Sequence, residues 1–129
     1  MKLLLDTHVL LWWLDDSPRL PMEMRELISD PERTVFVSAA TTWEIRIKQK
    51  LGKLDLPAQF DAALEAAEFH WLPISRAHAD TTAQLPLHHR DPFDRMLVAQ
   101  AKCEHLTLLT VDERLAAYGK NILWISGRA

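Results

Sequence analysis

The chain has 129 residues, 48% hydrophobic and 26% charged, the size and composition of one globular domain that buries a single core. Its longest early apolar run, "VLLWWL", is far too short to cross a bilayer, no basic segment with a small-residue cleavage site precedes it, and a single cysteine, Cys103, excludes an internal disulfide or a multi-cysteine zinc cage, so the expected setting is a reducing cytoplasm with no membrane partner. The net charge of −3, from 15 Lys plus Arg and 18 Asp plus Glu, argues weakly against a nucleic-acid partner, although acids gathered around divalent ions would be locally neutral and leave the basic remainder to face phosphates.

In chain order, "KLLL" (2–5) reads as a buried strand, and Asp6 stands between it and the helical run that completes "LLLDTHVLLWWL". "VFVS" (35–38), entered from the turn "SDPERT", is a second strand rich in β-formers. In "SAATTWEIRIKQKLGKL", Trp43, Ile47 and Leu51 recur at i, i+4 and i+8 and predict the apolar face of a helix, with Glu44 about 100° from Trp43 at its border. Phe60, Ala63, Leu64 and Ala67 predict another amphipathic helix, started by Pro57. "WLPI" (71–74) is a short strand whose Pro73 suggests a sheet edge. Ser75 is the expected N-cap of a helix through Gln84, and "RDPFDR" (90–95) opens the apolar helix "MLVAQA", in which Cys103 reads as a small core residue. "LTLLTV" (106–111) is followed by Asp112 and a short helix, "ERLAAY", stopped by Gly119; "ILWI" (122–125) is the fifth strand. With three glycines and no repeat or linker, residues 1–129 form one domain. Alternating strands and helices imply an α/β sandwich around a parallel sheet.

The acids are the informative residues. Asp6 and Asp112 share one grammar, strand then acid then helix. Each could be only an N-cap, yet the carboxyl ends of strands in an open parallel sheet are also where ligands bind. If those strands are neighbours, the carboxylates converge, and protonation or a cation must offset their repulsion. Glu44 could be only a surface pair with Lys48 at i+4, worth about 0.3 kcal/mol. Asp91, before Pro92, is explained as an N-cap with proline at the first helical position, which leaves Asp94, three residues on, for chemistry. Thr7 is either a capping hydroxyl or a group that orients a water. Oxygen donors without clustered His or Cys suit Mg2+ or Mn2+, ions that activate water for phosphodiester hydrolysis.

Taken together, "LLLDTHVLLWWL", "SAATTWEIRIKQKLGKL", "HHRDPFDRMLVAQA" and "LTLLTVDERL" occur in the order and spacing of a known family. The chain resembles a PIN-domain ribonuclease, specifically a VapC-like toxin of a type II toxin–antitoxin system, over essentially its whole length. The resemblance implies a PIN-like three-layer sandwich with a five-stranded parallel sheet, the first strand central between the second and fourth. It implies an acidic site at Asp6, Glu44, Asp94 and Asp112 that holds one or two Mg2+ or Mn2+ ions, Asp94 matching because it precedes Arg95-Met96-Leu97-Val98-Ala99-Gln100-Ala101. Asp91 belongs to the "RDPFDR" subgroup, its part as an extra ligand open. The implied activity is endonucleolytic hydrolysis of RNA by a metal-activated water. The implied partners are an RNA substrate and a cognate antitoxin that occludes the site, in a homodimer or a toxin–antitoxin hetero-oligomer.

Around the site, His89, Arg90 and Arg95 are candidate phosphate contacts; the bland reading of His88, His89 and Arg90 is a solvated basic loop, and Arg90 and Arg95 could instead neutralise Asp91 or Asp94. Trp12 and Trp13, extended by Met24, are candidate antitoxin or dimer contacts, because aromatic anchors are enriched at interfaces; the competing reading is core packing. His8 reads as a structural or surface group. Two other Mg2+ folds fit less well: a haloacid-dehalogenase-like phosphatase would need an acid where His8 stands, and a receiver domain would need a lysine after the fifth strand, which "ILWISGRA" lacks. The non-enzymatic alternative is a catalytically silent PIN-like scaffold that binds RNA or protein.

Overall fold

A computed structural model describes residues 1–128. Five strands, β1 (Lys2–Leu5), β2 (Thr34–Ser38), β3 (His70–Leu72), β4 (Thr107–Thr110) and β5 (Ile122–Trp124), pair in parallel in the order β3-β2-β1-β4-β5. β1 is central between β2 and β4, as the resemblance implies, and β3, which runs into Pro73, lies at an edge. Six α-helices accompany them: α1 (Thr7–Leu14), α2 (Met22–Ser29), α3 (Ala39–Lys50), α4 (Phe60–Ala66), α5 (Arg76–Thr82) and α6 (Pro92–Glu104).

Alternation along the strands sorts the core into two halves, since successive side chains point to opposite faces. Leu3 and Leu5 of β1 join Val35, Val37 and Leu109 in packing against Val9 and Leu10 of α1, Met24 and Ile28 of α2, and Phe60 and Leu64 of α4. Leu4 and Leu108 face the other way, onto Leu97, Val98 and Ala101 of α6 and Leu115. The result is a three-layer α/β/α sandwich, the expected class.

Three elements differ from their sequence expectations. "ERLAAY" is a 3-10 helix over Glu113–Tyr118. α4 begins at Phe60, three residues past Pro57, which instead accepts the Phe60 N–H at 3.0 Å. α2 has no counterpart in the periodicity reading: it opens at Pro21 without a side-chain cap, and only Met24 and Ile28 are buried. Met24 is therefore a core residue with no exposed surface, which corrects its candidacy as an antitoxin or dimer contact. No helix among the described residues is long and apolar enough to cross a membrane.

Candidate metal centre

The parallel pairing brings the carboxyl ends of β1, β2 and β4 to one edge, and each strand hands over directly to a capped element there. Asp6 continues the ladder, its N–H donating to Leu109 O at 3.1 Å, while its Oδ1 accepts from Val9 N at 2.8 Å. It is 3% exposed, and burial pushes its carboxyl up to about 6; the Thr110 hydroxyl, the Val9 N–H and His8 favour the ion, and the charge of Asp94 opposes it. Thr110 is fully buried and also accepts the N–H of Asp112 at 3.0 Å, so one hydroxyl serves both strand-end acids.

Glu44 lies on the inner side of α3, which corrects the predicted apolar face. The buried residues of that helix are Ala40, Thr41, Glu44 and Ile45, whereas Trp43 and Leu51 are exposed. Ser38 caps the helix at the end of β2, and two polar partners make the buried carboxylate tolerable. Thr7 Oγ1 donates to its Oε1 at 2.6 Å and Lys48 Nζ to its Oε2 at 2.7 Å. The Lys48 pair exists, but around a buried acid rather than on the surface. Trp43 instead meets Phe93 edge-on, ring centres 5.2 Å apart.

In "RDPFDR" the two acids divide. Asp91 caps α6, accepting from Phe93 N at 2.8 Å and Asp94 N at 3.2 Å through one oxygen. Asp94 faces the cluster, and its carboxyl is raised by burial first and then by the charges of Asp91 and Glu44. Asp112 is held below the usual carboxylate range, chiefly by Arg114, whose guanidinium grips both of its oxygens at 3.1 and 2.9 Å. Lys48, Arg114 and His89 thus supply positive or polar partners to Glu44, Asp112 and Asp94.

His89 stands closer to the acids than a phosphate-contact reading allows. Its Nε2 is 2.8 Å from Asp94 Oδ2 and 3.9 Å from Asp112 Oδ2, and its side chain is 8% exposed. Among the described residues, His89, Asp94 and Asp112 form the one group of three donors whose atoms lie within 4.8 Å of one another. Asp6 and Glu44 are not in that group; the charge of Glu44 raises Asp94, and the charge of Asp94 raises Asp6. Arg95 is not free for a phosphate: its guanidinium donates to the carbonyls of Thr82, Leu85, Pro86 and His89 and to Tyr118 Oη at 2.7 to 3.4 Å. Each guanidinium N–H spent on a carbonyl is unavailable to substrate, so Arg95 is a brace for the 82–89 segment. Arg90 stays exposed. Trp12 and Trp13 are half-buried against the core, and Trp12 also lines a groove with His8, Leu11, Leu14, Leu54 and Leu56, bordered by Asp15, Asp16 and Asp55.

The donor set suits a divalent cation. Hard oxygen donors are gathered where burial and mutual repulsion raise two of them, an arrangement a dication relieves. Sequence reading missed Thr110 and Arg114 as members of the site, and gave His89 a phosphate contact rather than a place among the acids. The doublet "HHRD" was a signal for His89; nothing local marked Thr110.

A PIN domain model matches residues 3–121. No curated protein matches the chain significantly. The fold is similar to a chain of VapBC2 from Rickettsia felis bound to a DNA fragment from its promoter (TM-score 0.72, 14% identity, covering 99% of this chain and 100% of that one). It is also similar to DNA-bound VapBC from Salmonella typhimurium (0.71, 20%, 98% of each). A third is VapBC-5 from Mycobacterium tuberculosis, a member of the VapBC family of toxin–antitoxin systems (0.60, 24%, 97% and 98%). With a family match over nearly its whole length, the chain belongs to the PIN domain family.

Proposed function

We propose that the chain is a metal-dependent endoribonuclease acting as the toxin of a toxin–antitoxin pair. The observation that carries this is the gathering of Asp6, Glu44, Asp94 and Asp112 at one sheet edge, with the carboxyl of Asp6 pushed up to about 6 by burial. Capping accounts for Asp6 and Asp112 in part, but not for the buried carboxylate of Glu44 or the raised carboxyl of Asp94, which a cation would stabilise. PIN family membership and the VapBC likenesses support the reading.

Asp94 and Asp112 would hold Mg2+ or Mn2+ together with Asp6, and Glu44 would serve as a further ligand or hold a water. The ion would supply charge neutralisation of the scissile phosphate and an activated water. Thr7 fixes the orientation of Glu44 through its 2.6 Å bond. Asp91 sets the start of α6 and so the direction of Asp94. Arg90, exposed at the mouth of the site, is the remaining candidate for an RNA phosphate. The Trp12 groove, apolar with an acidic border, suits an antitoxin segment that combines apolar anchors with basic residues.

The test is RNA cleavage by antitoxin-free protein in Mg2+ or Mn2+ against EDTA, with Asp94→Asn as control. Cleavage that needs both the metal and Asp94 supports the proposal. No cleavage of structured or linear RNA in either metal would favour a binding scaffold.

A further inference from the structure

We propose that His89 is itself a ligand of the metal, so that the site is a mixed nitrogen–oxygen one that selects Mn2+ or another first-row transition ion over Mg2+. This rests on the metal site proposed above and adds a residue to its acidic set.

The adjacent histidines of "HHRD" have separate surroundings. His88 is exposed and packs edge-on against Tyr118, ring centres 5.0 Å apart. His89 turns inward and places Nε2 within reach of the carboxylates of both Asp94 and Asp112. Octahedral donors about 2.1 Å from an ion are about 3 Å apart when adjacent and about 4.2 Å apart when opposite. The 2.8 and 3.9 Å spans from Nε2 to the two carboxylates are close to those two values. An ion entering this cluster would take the place of the proton that Nε2 shares with Asp94.

The backbone of His89 is also tied down. Its backbone N–H donates to Tyr118 Oη at 3.1 Å, and its carbonyl accepts from Arg95 at 3.4 Å. Arg95 in turn ties down the segment before it through the carbonyls of Thr82, Leu85 and Pro86. These contacts fix the position of the segment from which His89 reaches the acids. An imidazole among carboxylates changes selectivity, because nitrogen donors favour the later first-row ions whereas Mg2+ prefers oxygen alone.

The decisive measurement is pulsed electron paramagnetic resonance of Mn2+ bound to the full chain. Directly coordinated 14N should modulate the echo of the wild type, change on 15N-histidine labelling, disappear in His89→Gln and persist in His8→Gln and His88→Gln. Calorimetry should show Mn2+ affinity falling about tenfold or more in His89→Gln, while Mg2+ affinity changes far less. The wild-type spectrum and the labelling need no variant, so a misfolded His89→Gln does not obscure the answer. Stoichiometric Mn2+ without nitrogen coupling, or a coupling kept in His89→Gln, would overturn His89 as a ligand and leave the carboxylate site standing. No Mn2+ binding at millimolar concentration would overturn both.

Discussion

Replacing Asp6 with Asn should stabilise the metal-free protein, and only above acid pH. The folded chain raises this carboxyl from 3.8 to about 6, with burial as the largest cause. At about 1.4 kcal/mol for each tenfold change in proton affinity, ionising Asp6 in the folded state costs at most about 3 kcal/mol. Because the folded pKa is the higher one, the cost is absent below 3.8, grows between 3.8 and about 6, and is complete above that. Metal-free protein therefore loses stability from Asp6 as pH rises through that window. Asn removes the charge and keeps the cap, since it too accepts the Val9 N–H at the N-terminus of α1. Urea denaturation in EDTA should show Asp6→Asn more stable by about 2–3 kcal/mol at pH 8, and equal to the wild type near pH 4. A thermal scan should show a gap of about 5–10 °C at pH 8. Adding Mn2+ should close the gap from the wild-type side, because a ligand stabilises only the form that binds it. A wild type as stable as the variant at pH 8 in EDTA, or a gap that ignores pH, would refute the reasoning.

Four further outcomes follow from particular contacts. Asp91→Asn should retain most RNA cleavage, because Asn still caps α6, whereas Asp94→Asn should abolish it; equal losses in a cleavage assay would show that Asp91 does more than cap. Removing the Asp91 charge should also lower the pKa of Asp94, which that charge raises, measurable by carboxyl 13C chemical shifts across pH. Arg95→Met should cost about 2–3 kcal/mol in urea denaturation and speed amide exchange over 82–90, the segment its guanidinium braces. Met24→Ala should cost about 2–5 kcal/mol, as a fully buried core truncation, whereas Trp43→Ala should cost about 1 kcal/mol, chiefly its contact with Phe93.

What could be read from sequence was what depends on neighbours along the chain. The grammar of strand, acid and helix at Asp6 and Asp112, and Asp91 before Pro92, each involve a cap closed within three residues. All three proved to be caps, and the alternation of strands with helices specified the layered fold. Trp43 was misplaced on the inner face of α3, because the reason for Glu44's burial there, Thr7, is 37 residues away and leaves no mark in the periodicity. Arg95 looked like a free cation because its acceptors are carbonyls of an irregular segment, and every residue type carries a carbonyl. α2 was passed over because its two buried residues are separated by charged ones and no capping side chain marks its start.

Three of the acids in and around the site also start helices. Asp6 begins α1, Asp91 begins α6 and Asp112 begins the 3-10 helix, each by holding a backbone N–H. Glu44 and Asp94 hold none. A cell that must escape the proposed activity by a single substitution then faces unequal routes. Apolar changes at the three caps fray a helix start, expose the chain to proteolysis and reduce its abundance, whereas changes at Glu44 or Asp94 leave an intact but inert protein that can still occupy a partner. Inactivated survivors should therefore fall into two groups, scarce protein from the first set and abundant, partner-competent protein from the second.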